Sequence, residues 1–201
     1  MKNIIFDFGG VLLEWNPDNV YLEYFKNDKH VMNAFYDKTQ IKVLNKEFDR
    51  GVPFDTILSN LAEKFPRYKE PILLWKQSWH KMLGNKIEGS IQILQKLHDN
   101  GYNLYGLTNW SAETFPYAYY THDFFRLFKD IVVSGRENMI KPEPGIFELC
   151  LSRNNLIPEQ SVFIDDSLEN VLAATEIGME AIYFRDPNQL QESLVYLGIK
   201  L

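Results

Sequence analysis

The sequence predicts an α/β fold, a doubly wound parallel sheet interrupted near its N-terminus by an α-helical insertion. Three observations predict it. The apolar run Ile4-Ile5-Phe6 stops at Asp7 ahead of Gly9-Gly10, too short for a helix and too apolar for a surface loop, so it reads as a buried strand. From about residue 88 onward, helical and strand patterns alternate as they do in a parallel sheet with crossover helices. Between these two regions the pattern is helical throughout, with no clear strand.

In the insertion, Asn16 suits a helix cap and Pro17 a first helical position, and Val20, Tyr21, Tyr24 and Phe25 recur at helical spacing. Further helices are predicted over 31–35, 41–49 with a stop at Gly51, 53–65 with a stop at Pro66, and 71–82. After Gly89, a helix over 90–99 ends at Asn100-Gly101 and a strand follows over 102–107. Strands at 131–133, 162–164 and 181–184 are separated by helices over 144–154 and 167–177, the second ended by Gly178. The expected division is a core of residues 1–13 and 88–201 and a helical unit of 14–87. The text holds no internal repeat and no low-complexity tract.

A chain of 201 residues with 45% hydrophobic composition buries a sizeable core. Its net charge of -6 disfavours a nucleic-acid backbone or an anionic membrane as partner, yet a locally positive pocket still admits a small phosphate ligand. The one cysteine, Cys150, forms no internal disulfide, and its apolar helical surroundings make it a core thiol. The N-terminal apolar run is too short for a signal peptide, so a cytoplasmic location is the default expectation.

In an open parallel sheet, ligands bind beyond the carboxyl ends of the strands, which selects the residues to weigh. Strand ends bring Asp7, then Thr108 and Asn109, then Lys141, then Asp165-Asp166. Singly, each has a bland reading: Asp7 as a turn residue, Thr108, Asn109 or Ser111 as a cap, Asp166 and Ser167 as caps of the next helix. Asp7 resists it, because a carboxylate abutting an apolar strand needs a cation or donors nearby. The adjacent Asp165-Asp166 pair has the same problem, which a hard divalent cation with oxygen ligands solves.

These segments, Asp7-Phe8-Gly9-Gly10-Val11, Leu107-Thr108-Asn109, Lys141-Pro142 and Phe163-Ile164-Asp165-Asp166, resemble in order the motifs of the haloacid dehalogenase superfamily. The resemblance spans the chain, and the helical insertion resembles the superfamily's α-helical cap. It implies a Rossmann-like core and a magnesium-dependent phosphatase of small phosphate esters working through an aspartyl-phosphate. By the same resemblance, Asp7 is the nucleophile, and magnesium is held by Asp7, the Gly9 carbonyl and Asp166, with Asp165 behind or bridged by water. Thr108 and the Asn109 backbone would bind the phosphoryl oxygens, and Lys141 would neutralise them and Asp7. Such a transfer needs positioning, a metal and fixed donors.

One departure matters. Phosphatases of the family carry a second aspartate two residues after the nucleophile as general acid and base, and here that position is Gly9. General acid-base help is worth ~10² to 10⁴ in rate, so Gly9 predicts slow turnover or a substrate with a good leaving group, such as a sugar 1-phosphate or an aryl phosphate. The motif resembles a phosphatase branch with a small residue there, some members of which act on sugar phosphates. Another acid, Glu14 or a cap carboxylate such as Asp49, could instead serve.

Three other readings stand beside this one. Metal-free haloacid dehalogenases also lack the second aspartate, but their fourth motif is not a carboxylate pair. A phosphate- or protein-binding domain without turnover has Gly9 as its support. A phosphorylation-receiver domain places its acidic pair near the first strand, the reverse of the order here. Trp15 and Trp110 are candidate substrate-binding residues bordering the cleft, while Trp75 and Trp79 are read as core. His30, His80, His98 and His122 are scattered and suggest no metal site, and Arg50 reads as a solvated helix-end charge.

Overall fold

The computed structural model describes residues 2–201. The chain opens with strand β1 (Asn3–Phe6) and passes through β2 (Leu13–Trp15) into six helices: α1 (Asp18–Tyr24), α2 (Lys29–Thr39), α3 (Ile41–Asp49), α4 (Phe54–Lys64), α5 (Lys69–Gln77) and α6 (Trp79–Met82). Strand β3 (Leu83–Lys86) then leads back. The remainder alternates: α7 (Glu88–Asp99), β4 (Asn103–Thr108), α8 (Phe115–Thr121), β5 (Asp130–Val133), α9 (Ser134–Glu137), α10 (Pro144–Arg153), β6 (Ser161–Asp165), α11 (Leu168–Glu176), β7 (Glu180–Tyr183) and α12 (Pro187–Tyr196).

The five strands β5-β4-β1-β6-β7 form one parallel sheet with β1 at its centre. Side chains alternate between its faces, as a pleated strand requires. Ile4, Phe6, Leu104, Val162 and Ile164 face the layer of Ile93, Leu94 and Leu97 on α7 and Leu190 and Leu194 on α12. Ile5, Tyr105, Leu107, Val132 and Phe163 face Ile146, Phe147, Cys150 and Leu151 on α10 and Ala174 on α11. Both faces are thereby covered, which is why the strands read as near-continuous apolar runs. Burial pushes the Cys150 thiol up to about 12, in keeping with a core role.

Two differences from the sequence expectation bear on the site. The helical stretch is not free of strands, because β2 and β3 pair antiparallel as a ribbon, with Leu13 opposite Lys86 and Trp15 opposite Leu83. The ribbon carries the chain out of the sheet and back at one place. The helix expected over 71–82 is broken at Ser78 into α5 and α6, and α8, α9 and α12 were not anticipated. Pro17 occupies the cap position of α1, and Asn16 before it accepts from the Asp18 amide at 2.9 Å. Among the described residues, no helix is long and apolar enough to cross a membrane.

Candidate active site

The centre of the site follows from register. Phe6, the last residue of β1, pairs with Gly106 on one side and Ile164 on the other, so Asp7 emerges between the ends of β4 and β6. Phe8 turns back into the core, packing edge-on to Phe125 and Phe128. Gly106 leaves room for it. This anchoring fixes Asp7, whose Oδ1 accepts from the Phe8 amide at 2.7 Å and lies 3.0 Å from Lys141 Nζ.

Lys141 is fully enclosed. Its ammonium donates to Asp165 Oδ2 at 2.6 Å and to the Leu107 carbonyl at 2.8 Å. Asn109 clasps the main chain of Lys141 from both directions, accepting from its amide at 2.8 Å and donating to its carbonyl at 2.9 Å. Asp165 in turn accepts from the Ser167 amide at 2.8 Å and from Asn170 Nδ2 at 2.9 and 3.0 Å. A buried carboxylate and ammonium so completely partnered avoid the cost of an isolated buried charge.

Electrostatics agree with this arrangement. Burial pushes the Asp7 carboxyl well above the usual carboxylate range, against the pull of Lys141 and with the push of Asp165 and Asp166. Partial desolvation and the neighbouring Asp165 raise Asp166 as well. Burial pulls the Lys141 ammonium down, but Asp165 and Asp7 outweigh it and the net shift is upward. Asp7, Asp165 and Asp166 each offer an oxygen within 4.8 Å of the others, an acidic set suited to a hard cation. Asp165 already spends its oxygens on Lys141, Ser167 and Asn170, so the carboxylates left for a cation are Asp7 and Asp166. Gly10, at φ +73°, lies against Asp166 where a Cβ would collide with the carboxylate.

Two features mark where a ligand would sit. Thr108 is buried at the end of β4, and its hydroxyl has no hydrogen-bond partner. Beside it, Asp7, Gly9, Gly10, Asn109 and Asp166 line a cavity of about 260 Å³ whose other walls are Trp15, Asn45, Asp49, Trp79 and Trp110. Trp15 is 36% exposed at the ribbon, whereas Trp110 is buried, its indole donating to Thr114 Oγ1 at 3.2 Å and packing on Trp79. Both expected aromatic residues border the cleft, and Trp79, read as core from sequence, is buried and borders it too. Ser167 forms no side-chain cap on α11.

Sequence reasoning named Asp49 only as one alternative acid and passed over how the insertion is fastened to the core. Asp49, the last residue of α3, reaches the cavity, its Oδ2 accepting from Asn45 at 2.8 Å. Arg50 keeps a partly solvated side chain, and it also makes a two-pronged pair with Glu143 at 3.0 and 2.6 Å. Ser134 Oγ donates to the Asp49 carbonyl at 2.5 Å, and Glu113 accepts from the Phe54 amide at 2.8 Å. Gly51, at φ +106°, passes so near the Gly135 carbonyl that a Cβ would stand 2.7 Å from it. No local pattern announces the contacts to the core, because each joins residues at least 59 positions apart.

The family model described as haloacid dehalogenase-like hydrolase matches residues 4–184. The chain belongs to this family of hydrolases. Among curated relatives, it is 29% identical to a sesquiterpene phosphatase of Aspergillus oryzae over 92% of this chain and 90% of that protein. It is 26% identical to a drimenol cyclase of Aspergillus calidoustus over 96% of this chain, which spans only 36% of that longer protein. A D-ribitol-5-phosphate phosphatase of Bacteroides thetaiotaomicron is 22% identical over 90% of each chain. The fold is that of a haloacid dehalogenase-family enzyme from Bacteroides thetaiotaomicron, with a TM-score of 0.74 and 21% identity over 100% of this hydrolase and 99% of that chain. A crystal structure of that enzyme with magnesium and inorganic phosphate superposes with a TM-score of 0.68 at 22% identity, over 92% of this hydrolase and 95% of that chain.

Proposed function

We propose that this hydrolase is a magnesium-dependent phosphatase of small phosphorylated metabolites that works through an aspartyl-phosphate on Asp7. The observation that carries this reading is the state of Asp7: Oδ1 is held by the Phe8 amide and Lys141, while its other oxygen has no hydrogen-bond partner among the described residues and Asp7 borders the cavity. A carboxylate so fixed is oriented for attack without further ordering.

Magnesium fits the residues present, because Asp7 and Asp166 bring two like charges into one cleft that Gly9 also lines, and the cation would supply charge neutralisation for a phosphate dianion. Lys141 holds Asp7 in place and neutralises charge on the phosphoryl group as it transfers. The unpartnered Thr108 hydroxyl and the Asn109 main chain would take the phosphoryl oxygens. Asp165, through Lys141, is a positioning residue. The cap reading of residues 14–87 fits a unit that roofs the cleft and excludes water, with the indoles of Trp15, Trp79 and Trp110 offering flat walls to a C–H-rich leaving group. The phosphatase names among the relatives support the same reaction class, including the phosphorylated carbohydrates phosphatase of Thermotoga maritima. So does the neighbouring enzyme's capture of magnesium and phosphate.

The test is turnover of a panel of sugar phosphates, a prenyl phosphate and an aryl phosphate, in magnesium and in excess chelator. Phosphate release that needs magnesium is expected. Full activity in chelator would favour a metal-free hydrolase of the dehalogenase type, and no release from any ester would favour a binding domain.

A further inference from the structure

We infer that Asp49, carried to the cavity by α3, is the general acid and base of this phosphoryl transfer, in place of the side chain that Gly9 lacks. The inference rests on the phosphatase reading above and adds a residue to it.

The position two after Asp7 is empty in a literal sense. Gly9 borders the cavity, and a Cβ built on it meets no heavy atom within 4 Å, so no neighbour has filled the volume an acid there would use. Three carboxylates, Asp7, Asp49 and Asp166, line the cavity. Asp7 is the nucleophile of the proposed reaction, and Asp166 would hold the cation together with it. Asp49 alone is uncommitted. Glu14, the other candidate by sequence, is turned to the ribbon, accepting from the Asn85 amide at 3.3 Å, and does not line the cavity.

Asp49 is also held as a working acid must be. Its carboxyl is oriented by Asn45, and its main chain is tied to the start of α9 by Ser134, while the next residue, Arg50, grips Glu143 of the loop that follows Lys141. The insertion could not swing away from the cavity without breaking the bonds to Ser134 and Glu143. Burial pushes the Asp49 carboxyl up to about 7, against the lowering effects of the Asn45 carboxamide, Lys141 and the Ser111 amide. A general acid is most effective when its pKa lies near the working pH. The charged groups that face it are Lys141 from below and Asp7 and Asp166 across the cavity.

In the first half-reaction, an Asp7 oxygen forms a bond to phosphorus while the bond to the ester oxygen breaks, and the Asp49 proton passes to that oxygen, which leaves as an alcohol. In the second, the Asp49 carboxylate takes a proton from water as the water oxygen attacks phosphorus, freeing Asp7 and inorganic phosphate and restoring Asp49 to its starting state.

The experiment compares wild type and Asp49→Asn on alkyl and aryl phosphates in magnesium. Wild type is expected to turn over both within about tenfold of each other. Asp49→Asn is expected to lose roughly 10² to 10³ on alkyl phosphates, with far less loss in the first aryl release. The variant then shows a burst of phenol equal to the enzyme present, because the phosphorylated Asp7 waits for water. The fall in wild-type rate on alkyl phosphates above about pH 7 should vanish in the variant. Gly9→Asp in the Asp49→Asn background is expected to restore alkyl turnover in part. A wild-type series that is steep in leaving-group acidity overturns the inference without any variant, and so does a folded Asp49→Asn that keeps its alkyl rate. In either case the phosphatase reading stands. Only the absence of turnover by wild type on every ester would defeat that reading itself.

Discussion

Asp7 and Lys141 are bonded to one another, yet removing each should have opposite consequences for the fold. Asp7→Asn keeps an oxygen that can accept from the Phe8 amide, and Lys141 retains Asp165 at 2.6 Å, so no buried charge is orphaned. Turnover is expected to fall by on the order of 10⁴-fold or more, since an amide is a poor nucleophile and metal ligand, with the thermal midpoint held or raised. Lys141→Ala instead leaves Asp7 and Asp165 facing each other without a cation, and a buried pair broken in this way costs about 3 to 5 kcal/mol. Urea titration of the two variants checks the contrast, and equal destabilisation would contradict it. These residues were legible in sequence because each abuts a buried strand or stands next to a motif proline, where a charge needs a reason. Asp49 was legible only as one of two alternative acids, since α3 reads Ile-Lys-Val-Leu-Asn-Lys-Glu-Phe-Asp, a mostly polar helix whose terminal carboxylate looks solvated until the helix is docked.

At the scale of elements, the sheet was readable and the attachment of the insertion was not. Strands β1, β4 and β6 are mostly apolar runs with polar or charged residues at or just past their ends, so period and boundary agree. The ribbon strands Leu-Glu-Trp and Leu-Gly-Asn-Lys are three and four residues long, too short for any period to show. Similarly, the aromatic-rich Phe115–Thr121 helix has its pattern masked by Tyr117, Tyr119 and Tyr120, which stay exposed. What the ribbon leaves free, the Arg50–Glu143 clasp must fix. Arg50→Ala removes both bonds to Glu143 from a pair 36% and 44% exposed at its side chains, so the stability cost is expected to stay within about 1 kcal/mol. The rate on alkyl phosphates should nevertheless fall several-fold, because Arg50 follows Asp49 directly in the chain and holds the end of α3 against the core. A thermal melt and a leaving-group series separate the two effects. A large loss of stability with no change in leaving-group dependence would mean that the clasp supports the fold and not the acid.

Across the whole molecule, the site should make stability depend on pH in a direction opposite to ordinary acid denaturation. An unfolded aspartate titrates near 3.9, whereas burial holds Asp49 at about 7 in the folded chain and raises Asp7 and Asp166 in the same direction. Between these values the folded state binds more protons than the unfolded state, so stability present below about pH 4 is lost as pH rises through about 7. Glu143, held below the usual carboxylate range by Arg50, acts in the other sense, but its loss of stability comes only at acid pH, outside this window. Without metal, the thermal midpoint is therefore expected to be higher at pH 5 than at pH 8, with Asp49 contributing on the order of 2 kcal/mol of the difference. Asp49→Asn, which cannot ionise, should lose that share of the slope and melt above wild type at pH 8. Magnesium should act in the complementary direction, because protons compete for the carboxylates it needs. At a hundred times its dissociation constant it adds about 2.7 kcal/mol, or roughly 5 to 10 °C for a chain of this size, and more at pH 8 than at pH 5. The measurement is scanning calorimetry of wild type and Asp49→Asn at both pH values, in chelator and in magnesium. A midpoint in chelator that rises from pH 5 to pH 8 would show that the site's carboxylates are not held protonated by the fold. Magnesium that stabilises equally at both would remove the cation from Asp7 and Asp166.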